Sequence, residues 1–512
     1  MGSASRVWLR YLDGTPLIRD LVARGSDWEQ YQRWIDQVAH TGYCSRPVRL
    51  AGEVYEHDPV TGQARAMYST SDEPDGTLLV ACGNRRHTRC PSCSWTYRGD
   101  AFQLVAAGLN GGKGIPETVV EHPMLFVTLT APSFGPVHSR RERGGRAQPC
   151  QPGRRARPEG CAHGVKLVCS RKHAEDDELL GQPLCPDCFD YEGAVLWNAL
   201  ASELWKRTPT RMLRELAALN GRTVRELERE VRLSFVKVGE TQSRGLIHLH
   251  AVVRLDARPP KSAPEIVLPP PGEFSFELLA RAVRGAIPKV AVKTLPAPDG
   301  RPREARWGPQ VDVKTLKVGD ERLSAQLVAA YVAKYATKQP EMLSALDRRI
   351  TCAGDIETLA LNDHLRRMVA TAWRLGDEDH LEGLNLRLWA HQLGFRGHWL
   401  TKSRRYSTTF TALRLARRSY RQAQEEDAGA IDAEDSEIMR GARERTKSWR
   451  FCGAGYRTHA DVLLANTARQ AAQEGRRVLR DQRARTADLG PVKGELDGHA
   501  WPSADTDRRG SG

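Results

Sequence analysis

Two β-prone stretches, Leu233-Ser-Phe-Val-Lys-Val-Gly239 and Ile247-His-Leu-His-Ala-Val-Val253, lie close together in the chain, with Gln242 to Gly245 between them as a turn. That spacing predicts a hairpin and commits this part of the chain to an antiparallel sheet. Alternate side chains of a strand share a face, so His248 and His250 point together while Leu249, Ala251 and Val253 point into a core. Two imidazoles about 7 Å apart on one strand face can hold a divalent cation once an oxygen ligand joins them. Glu240, just past the first stretch, is the candidate third ligand, with Gln242 in reserve.

Downstream, Leu327-Val-Ala-Ala-Tyr-Val-Ala-Lys-Tyr-Ala-Thr-Lys338 is Ala-rich and carries neither Gly nor Pro before Pro340, which predicts a helix. At helical spacing Tyr331, Lys334, Tyr335 and Lys338 share one stripe, and Val328, Ala329, Val332, Ala333 and Ala336 form the opposite, apolar face. A tyrosine becomes a nucleophile when its pKa of about 10 is lowered or a base takes its proton. A neighbouring lysine favours the phenolate and also suits a phosphate.

The chain has eleven cysteines. The N-terminus, M-G-S-A-S-R-V-W-L-R-Y-L, lacks the apolar core of a signal peptide, and there is no apolar run of roughly 18 residues. A cytoplasmic protein without membrane contact is expected, so clustered cysteines read as metal ligands rather than disulfides. Cys82, Cys90 and Cys93 supply three ligands of a structural zinc site, with Cys44 as the preferred fourth and His87 as the alternative. Cys161, Cys169, Cys185 and Cys188 supply a second complete set and leave Cys150 over. Both sites are closed, hence structural; a catalytic ion facing a hard phosphate oxygen is expected to be Mg²⁺ or Mn²⁺.

The expected organisation has four parts. Residues 1–120 form an N-terminal region with the first cysteine cluster and a helix near Trp28 to Ala39. Residues 121–340 form an α+β domain with an antiparallel sheet flanked by helices, and residues 150–188 are its zinc-binding insertion. Within it, Val195 to Val231 reads as two helices punctuated by Pro209. Residues 341–425 read as helical and basic, with Arg396, Lys402, Arg404 and Arg405 as candidate phosphate contacts. Residues 426–512 read as helical and then, beyond Arg476, as a disordered tail. A formal net charge of +14 favours a polyanionic partner. Gly108-Leu-Asn-Gly-Gly-Lys-Gly114 falls one residue short of a nucleotide-binding loop and has no Ser or Thr after its lysine, so it reads as a turn, and no ATPase or helicase domain is expected.

His-hydrophobe-His followed by Tyr-x-x-Lys resembles the signature of the HUH endonucleases, which start rolling-circle replication. Phe126-Val-Thr-Leu-Thr-Ala-Pro132 is similar to the first motif of replication initiators, and the motif order is theirs rather than that of relaxases. The helix Y-V-A-K-Y-A-T-K resembles the paired-tyrosine helix of phage gene A proteins. Cys90-Pro-Ser-Cys93, Pro-Leu-Cys185-Pro-Asp-Cys188, Val195-Leu-Trp-Asn198, Gly394-Phe-Arg-Gly-His398 and Ser403-Arg-Arg-Tyr406 look like replication initiators of actinobacterial plasmids and integrative conjugative elements, from about Tyr43 to Arg421. The resemblance implies a metal-dependent, site-specific DNA endonuclease and strand transferase. In it His248, His250 and Glu240 would hold Mg²⁺ or Mn²⁺, and Tyr331 and Tyr335, assisted by Lys334 and Lys338, would form a 5′-phosphotyrosine link and free a 3′-hydroxyl primer. The partners implied are origin DNA and a host helicase and polymerase. Many plasmid initiators carry one tyrosine and use a carboxylate for the second cut, and this chain departs from them. A two-tyrosine transposase and a zinc-containing DNA-binding regulator are the competing readings.

Overall fold

The computed structural model describes residues 15–57, 61–153, 160–316, 324–337, 346, 348–428 and 444–486. These fall into two compact units, residues 98–413 and residues 15–97 together with 414–486.

The larger unit is built on a five-stranded sheet of β1 (Met124–Leu129), β2 (Val231–Thr241), β3 (Ile247–Ala257), β4 (Val311–Thr315) and β5 (Leu400–Lys402). The order is β4-β1-β3-β2-β5 and every pairing is antiparallel. The expected hairpin is β2–β3. Its turn closes with Gln242 N–H donating to Leu246 O at 2.9 Å, and Gly245 adopts φ +76°, a conformation that glycine reaches without strain. The buried Asn198 side chain donates to Gly245 O and Leu393 O and accepts from Ile247 N–H, which ties the turn to the helix beneath.

Alternation along the strands sorts the two faces. Leu125, Val127 and Leu129 of β1, and Leu249, Ala251, Val253 and Leu255 of β3, are buried in one core. Facing them are Leu196, Leu200 and Leu204 of α1 (Tyr191–Leu219) and Leu279 and Val283 of α2 (Phe276–Ala286). Each of these leucine and valine side chains contributes about 1.5–3 kcal/mol on burial. The other face carries His248, His250 and Thr128 in register and receives α3 (Ala325–Thr337), whose Val328, Ala329, Val332, Ala333 and Ala336 are buried. A fourth helix, α4 (Asp363–Leu375), adds Leu365, Met368, Val369 and Ala372 to the core.

Three expectations are corrected here. Pro209 lies inside the continuous helix α1. Proline removes one backbone donor, but Leu204, Met212 and Leu216 bury the same face on both sides of it, and Thr208 Oγ1 donates to Leu204 O at 2.7 Å. The basic stretch after residue 341 is not a separate helical part, because Leu400–Lys402 joins the sheet as β5. The helix His459–Thr486 runs on through Arg476, where a disordered tail was expected; residues 487–512 lie outside the described ones.

In the smaller unit Val48–His57 pairs with Glu444–Ala454 on one side and with Ala64–Ser69 and Leu78–Val80 on the other. The helix Trp28–His40, capped by Asp27 accepting from Gln30 N–H, buries Trp34 and Val38 against Leu79 and Ala465. Among the described residues no helix is long and apolar enough to cross a membrane.

Candidate functional site

The antiparallel register assembles the site. Glu240 on β2 stands opposite His248 on β3, and Val238 opposite His250. On the other side Thr128 of β1 stands opposite His250, and Asp312 of β4 opposite Thr128. The two imidazole rings lie 4.6 Å apart between centroids. Glu240 Oε2 is 3.6 Å from His250 Nε2. Phe126 stacks on the His250 ring at 5.7 Å and 4°.

Helix α3 brings both tyrosines onto this surface. The Tyr331 hydroxyl lies 3.0 Å from His250 Nε2, and the opposite ring nitrogen, Nδ1, lies 3.2 Å from Thr128 Oγ1. A neutral imidazole satisfies both contacts, with Nδ1–H donating to Thr128 and Nε2 accepting from the phenol. The Tyr331 and Tyr335 rings are 4.5 Å apart, and Tyr335 is 5.8 Å from the His250 ring. Lys334 is half-buried on the same stripe. Lys338 lies outside the described residues.

Burial controls the protonation states. It pushes His250 down to about 3, opposed by the Asp312 charge, and it pushes His248 down as well, helped by the neighbouring His250. Both imidazoles are therefore neutral at physiological pH. Burial also pushes the Tyr331 phenol well above the ordinary tyrosine range, with the Tyr335 phenol and Glu240 adding to it. Tyr335 is pushed up to about 12, again by burial first and Glu240 second. Two neutral imidazoles and a carboxylate form a chemically suitable donor set for one hard divalent cation.

Gln242 occupies a different place from the one sequence reasoning kept for it. Its side-chain amide lies 3.0 Å from His248 Nδ1 and is itself held by Arg244 Nε at 3.0 Å. Arg244 is in turn held by Ala131 O and Pro132 O. Gln242 thus orients His248, and Arg244 orients Gln242. Thr128 lies in the Phe126–Pro132 motif, but its pairing with His250, like the place of Asp312, comes from cross-strand register, and Arg244 was missed because its hold on Ala131 O and Pro132 O is long-range.

Among the described residues, nine of the cysteines fall into three groups rather than two. Cys44, Cys82, Cys90 and Cys93 come together as expected, with their sulfurs within 4.8 Å of one another, and exposed His87 is not among them. Cys161, Cys185 and Cys188 gather with His163, not with Cys169. The correction has a local cause. The bridge between Gln151 and Cys169 sets Cys169 beside Cys150, and those two join His138 and His173 in a third group. The histidines were unmarked in sequence because they stand in a basic, Gly- and Pro-rich stretch without periodicity.

The basic candidates divide. Arg396 and Arg404 are exposed, and Arg405 is half-buried. Lys402 is half-buried, and its ammonium donates to Ser403 O, Arg404 O and, at 2.9 Å, Ser407 O. Lys402 therefore anchors its own loop, a role that competes with phosphate contact.

A family model described as the replication initiator protein of pSAM2, RepSA, matches residues 30–470 of this chain. A replication initiator protein of Streptomyces ambofaciens is 42% identical over 461 residues, spanning 88% of this chain and 94% of that protein. No solved structure matches the chain.

Proposed function

The chain belongs to the family of pSAM2 replication initiator proteins, and from that membership we propose that it starts replication as an HUH-type nicking and strand-transferring enzyme at its element's origin. One observation carries the reading: His250 Nε2 is met at 3.0 Å by the Tyr331 hydroxyl and at 3.6 Å by Glu240 Oε2, and the His250 ring lies 4.6 Å from that of His248. His248, His250 and Glu240 would hold one Mg²⁺ or Mn²⁺, which when bound supplies a Lewis acid for the scissile phosphate.

The Tyr331 oxygen attacks the phosphorus in line, and the bond from phosphorus to the 3′ oxygen breaks. The 5′ phosphate passes to the tyrosine, and the phenolic proton ends on the departing 3′ oxygen, directly or through water. That oxygen becomes the 3′-hydroxyl that primes synthesis. One phosphodiester replaces another, so cleavage and rejoining need no nucleotide cofactor. Lys334, one turn from Tyr331, favours the phenolate and the charge that builds on phosphate. Tyr335, on the same stripe, serves the second transfer that rejoins the displaced strand. The cysteine groups Cys44/Cys82/Cys90/Cys93 and Cys161/His163/Cys185/Cys188 would hold structural zinc. Strand separation and synthesis fall to a host helicase and polymerase.

The test uses single-stranded oligonucleotides from the element's own origin with Mn²⁺. The full chain should form a covalent 5′ adduct at one phosphate, and His250→Ala should abolish it while origin binding persists. Unimpaired adduct formation in the His248→Ala, His250→Ala double variant would refute the site.

A further inference from the structure

Between Arg140 and Leu180 the buried side chains among the described residues are Cys150, Cys169 and His173, all of them metal-ligand types. Regular structure among the same described residues amounts to the two three-residue strands Arg141–Arg143 and Arg146–Gln148 and the bridge between Gln151 and Cys169. Such a segment has no apolar core to offset its ordering entropy, so something else must hold it.

We propose that His138, Cys150, Cys169 and His173 bind a third zinc ion, in addition to the two sites above, and that this ion and the one at Cys161, His163, Cys185 and Cys188 are cross-braced. The donor atoms have the required spacing. His138 Nδ1 is 3.2 Å from His173 Nε2, Cys169 Sγ is 3.5 Å from His173 Nε2, and Cys150 Sγ is 3.9 Å from His138 Nδ1. All four lie within 4.8 Å of one another. The edges of a tetrahedron around zinc, with bonds to N and S of about 2.0–2.3 Å, are roughly 3.3–3.8 Å.

The surrounding contacts orient these ligands. His173 Nδ1–H donates to Asp177 Oδ2 at 2.7 Å, which leaves the Nε2 lone pair facing the cluster, the arrangement that carboxylates impose on metal-bound histidines. Ser139 N–H donates to Cys150 Sγ at 3.1 Å, as suits a thiolate. Two nitrogens and two sulfurs in tetrahedral spacing favour zinc over the hard cations.

Ligand order along the chain gives the cross-brace. The pair His138 and Cys150 is followed by Cys161 and His163, then by Cys169 and His173, then by Cys185 and Cys188. First and third pairs serve one site, second and fourth the other. Each ion therefore closes a loop that contains half of the other's ligands, and loss of either should loosen both.

Zinc content of the full chain, by elemental analysis after exhaustive dialysis, tests this without recourse to nicking. Three zinc ions per chain are expected. His173→Ala should remove one or, through the cross-brace, two. His173→Cys should keep three, and after cobalt exchange it should strengthen the sulfur-to-cobalt charge-transfer band because a thiolate has been added. Two or fewer zinc ions in the unaltered chain would overturn the proposal, as would three retained in His173→Ala. Loss of zinc in His173→Cys as great as in His173→Ala would show that a fold defect rather than a missing ligand is being read, and would overturn the assignment of His173.

Discussion

Tyr331 and Tyr335 share a stripe but not an environment. The Tyr331 hydroxyl lies 3.0 Å from His250 Nε2, whereas the Tyr335 ring stands 5.8 Å from the His250 ring. Tyr331→Phe keeps the ring that packs edge-on against Phe126 and removes the oxygen. It should lower the initial rate of adduct formation by on the order of 10²-fold or more, the usual scale for losing an activated nucleophile. Tyr335→Phe should leave that first rate within about tenfold, yet stop coupled rejoining of two origins. Peptide mapping of the DNA-linked residue decides; label on Tyr335 alone would reverse the assignment. The pH profile follows from burial. A phenol pushed above its usual range is less ionised at neutral pH, so the adduct rate should climb with pH across about 7–9, by up to roughly tenfold per unit. A flat profile over that span would mean the phenol is already ionised, contrary to the effect of its burial.

At the scale of elements, the segment that carries the second and third cysteine groups meets the β2–β3 hairpin at Gly181. Gly181 has φ +86°, and a Cβ there would come within 2.3 Å of the Ser243 carbonyl carbon and 2.5 Å of Arg244 N. Gly181 N–H also donates to His138 O at 2.8 Å. The turn it presses on carries Gln242 and Arg244, which orient His248. Gly181→Ala should therefore cost about 1–3 kcal/mol in backbone strain and displace the turn, seen as a lower Tm and slower nicking. A variant with unchanged Tm and nicking rate would show that the contact can be relieved at no cost. The hairpin itself was legible because His248 and His250 alternate with Leu249 and Ala251, and the tyrosine helix because polar and apolar stripes separate cleanly. Pro209 misled because a local rule was applied where buried packing on both sides outweighs one lost hydrogen bond. Cys169 misled because spacing lists possible ligands but not which loops fold together. Leu400–Lys402 is too short for its alternation to register.

For the whole molecule, the smaller unit is closed by two distant parts of the chain. Val48–His57 pairs along its length with Glu444–Ala454, whose sequence E-R-T-K-S-W-R-F-C-G-A has too little apolar alternation to announce a strand. Arg24 bridges Asp75 and Asp461, each at 2.8 Å, and the Tyr456 hydroxyl donates to Cys44 O at 2.8 Å, beside the first cysteine group. Bringing such distant segments together costs little more than closing a moderate loop, because closure entropy grows only as the logarithm of length. Sequence separation alone therefore does not disfavour the pairing. A chain ending at Ala428 would lack both the strand and the helix His459–Thr486. Its Val48–His57 strand would lose one partner along a full edge, and the core around Trp34 would lose Ala465 and Tyr456. Backbone amides of Val48–His57 should then exchange with solvent orders of magnitude faster than in the full chain, and zinc at the site proposed for Cys44, Cys82, Cys90 and Cys93 should be lost to a chelator that the full chain resists. Protection of those amides equal to that in the full chain would mean that the pairing with Glu444–Ala454 contributes nothing to the unit's stability.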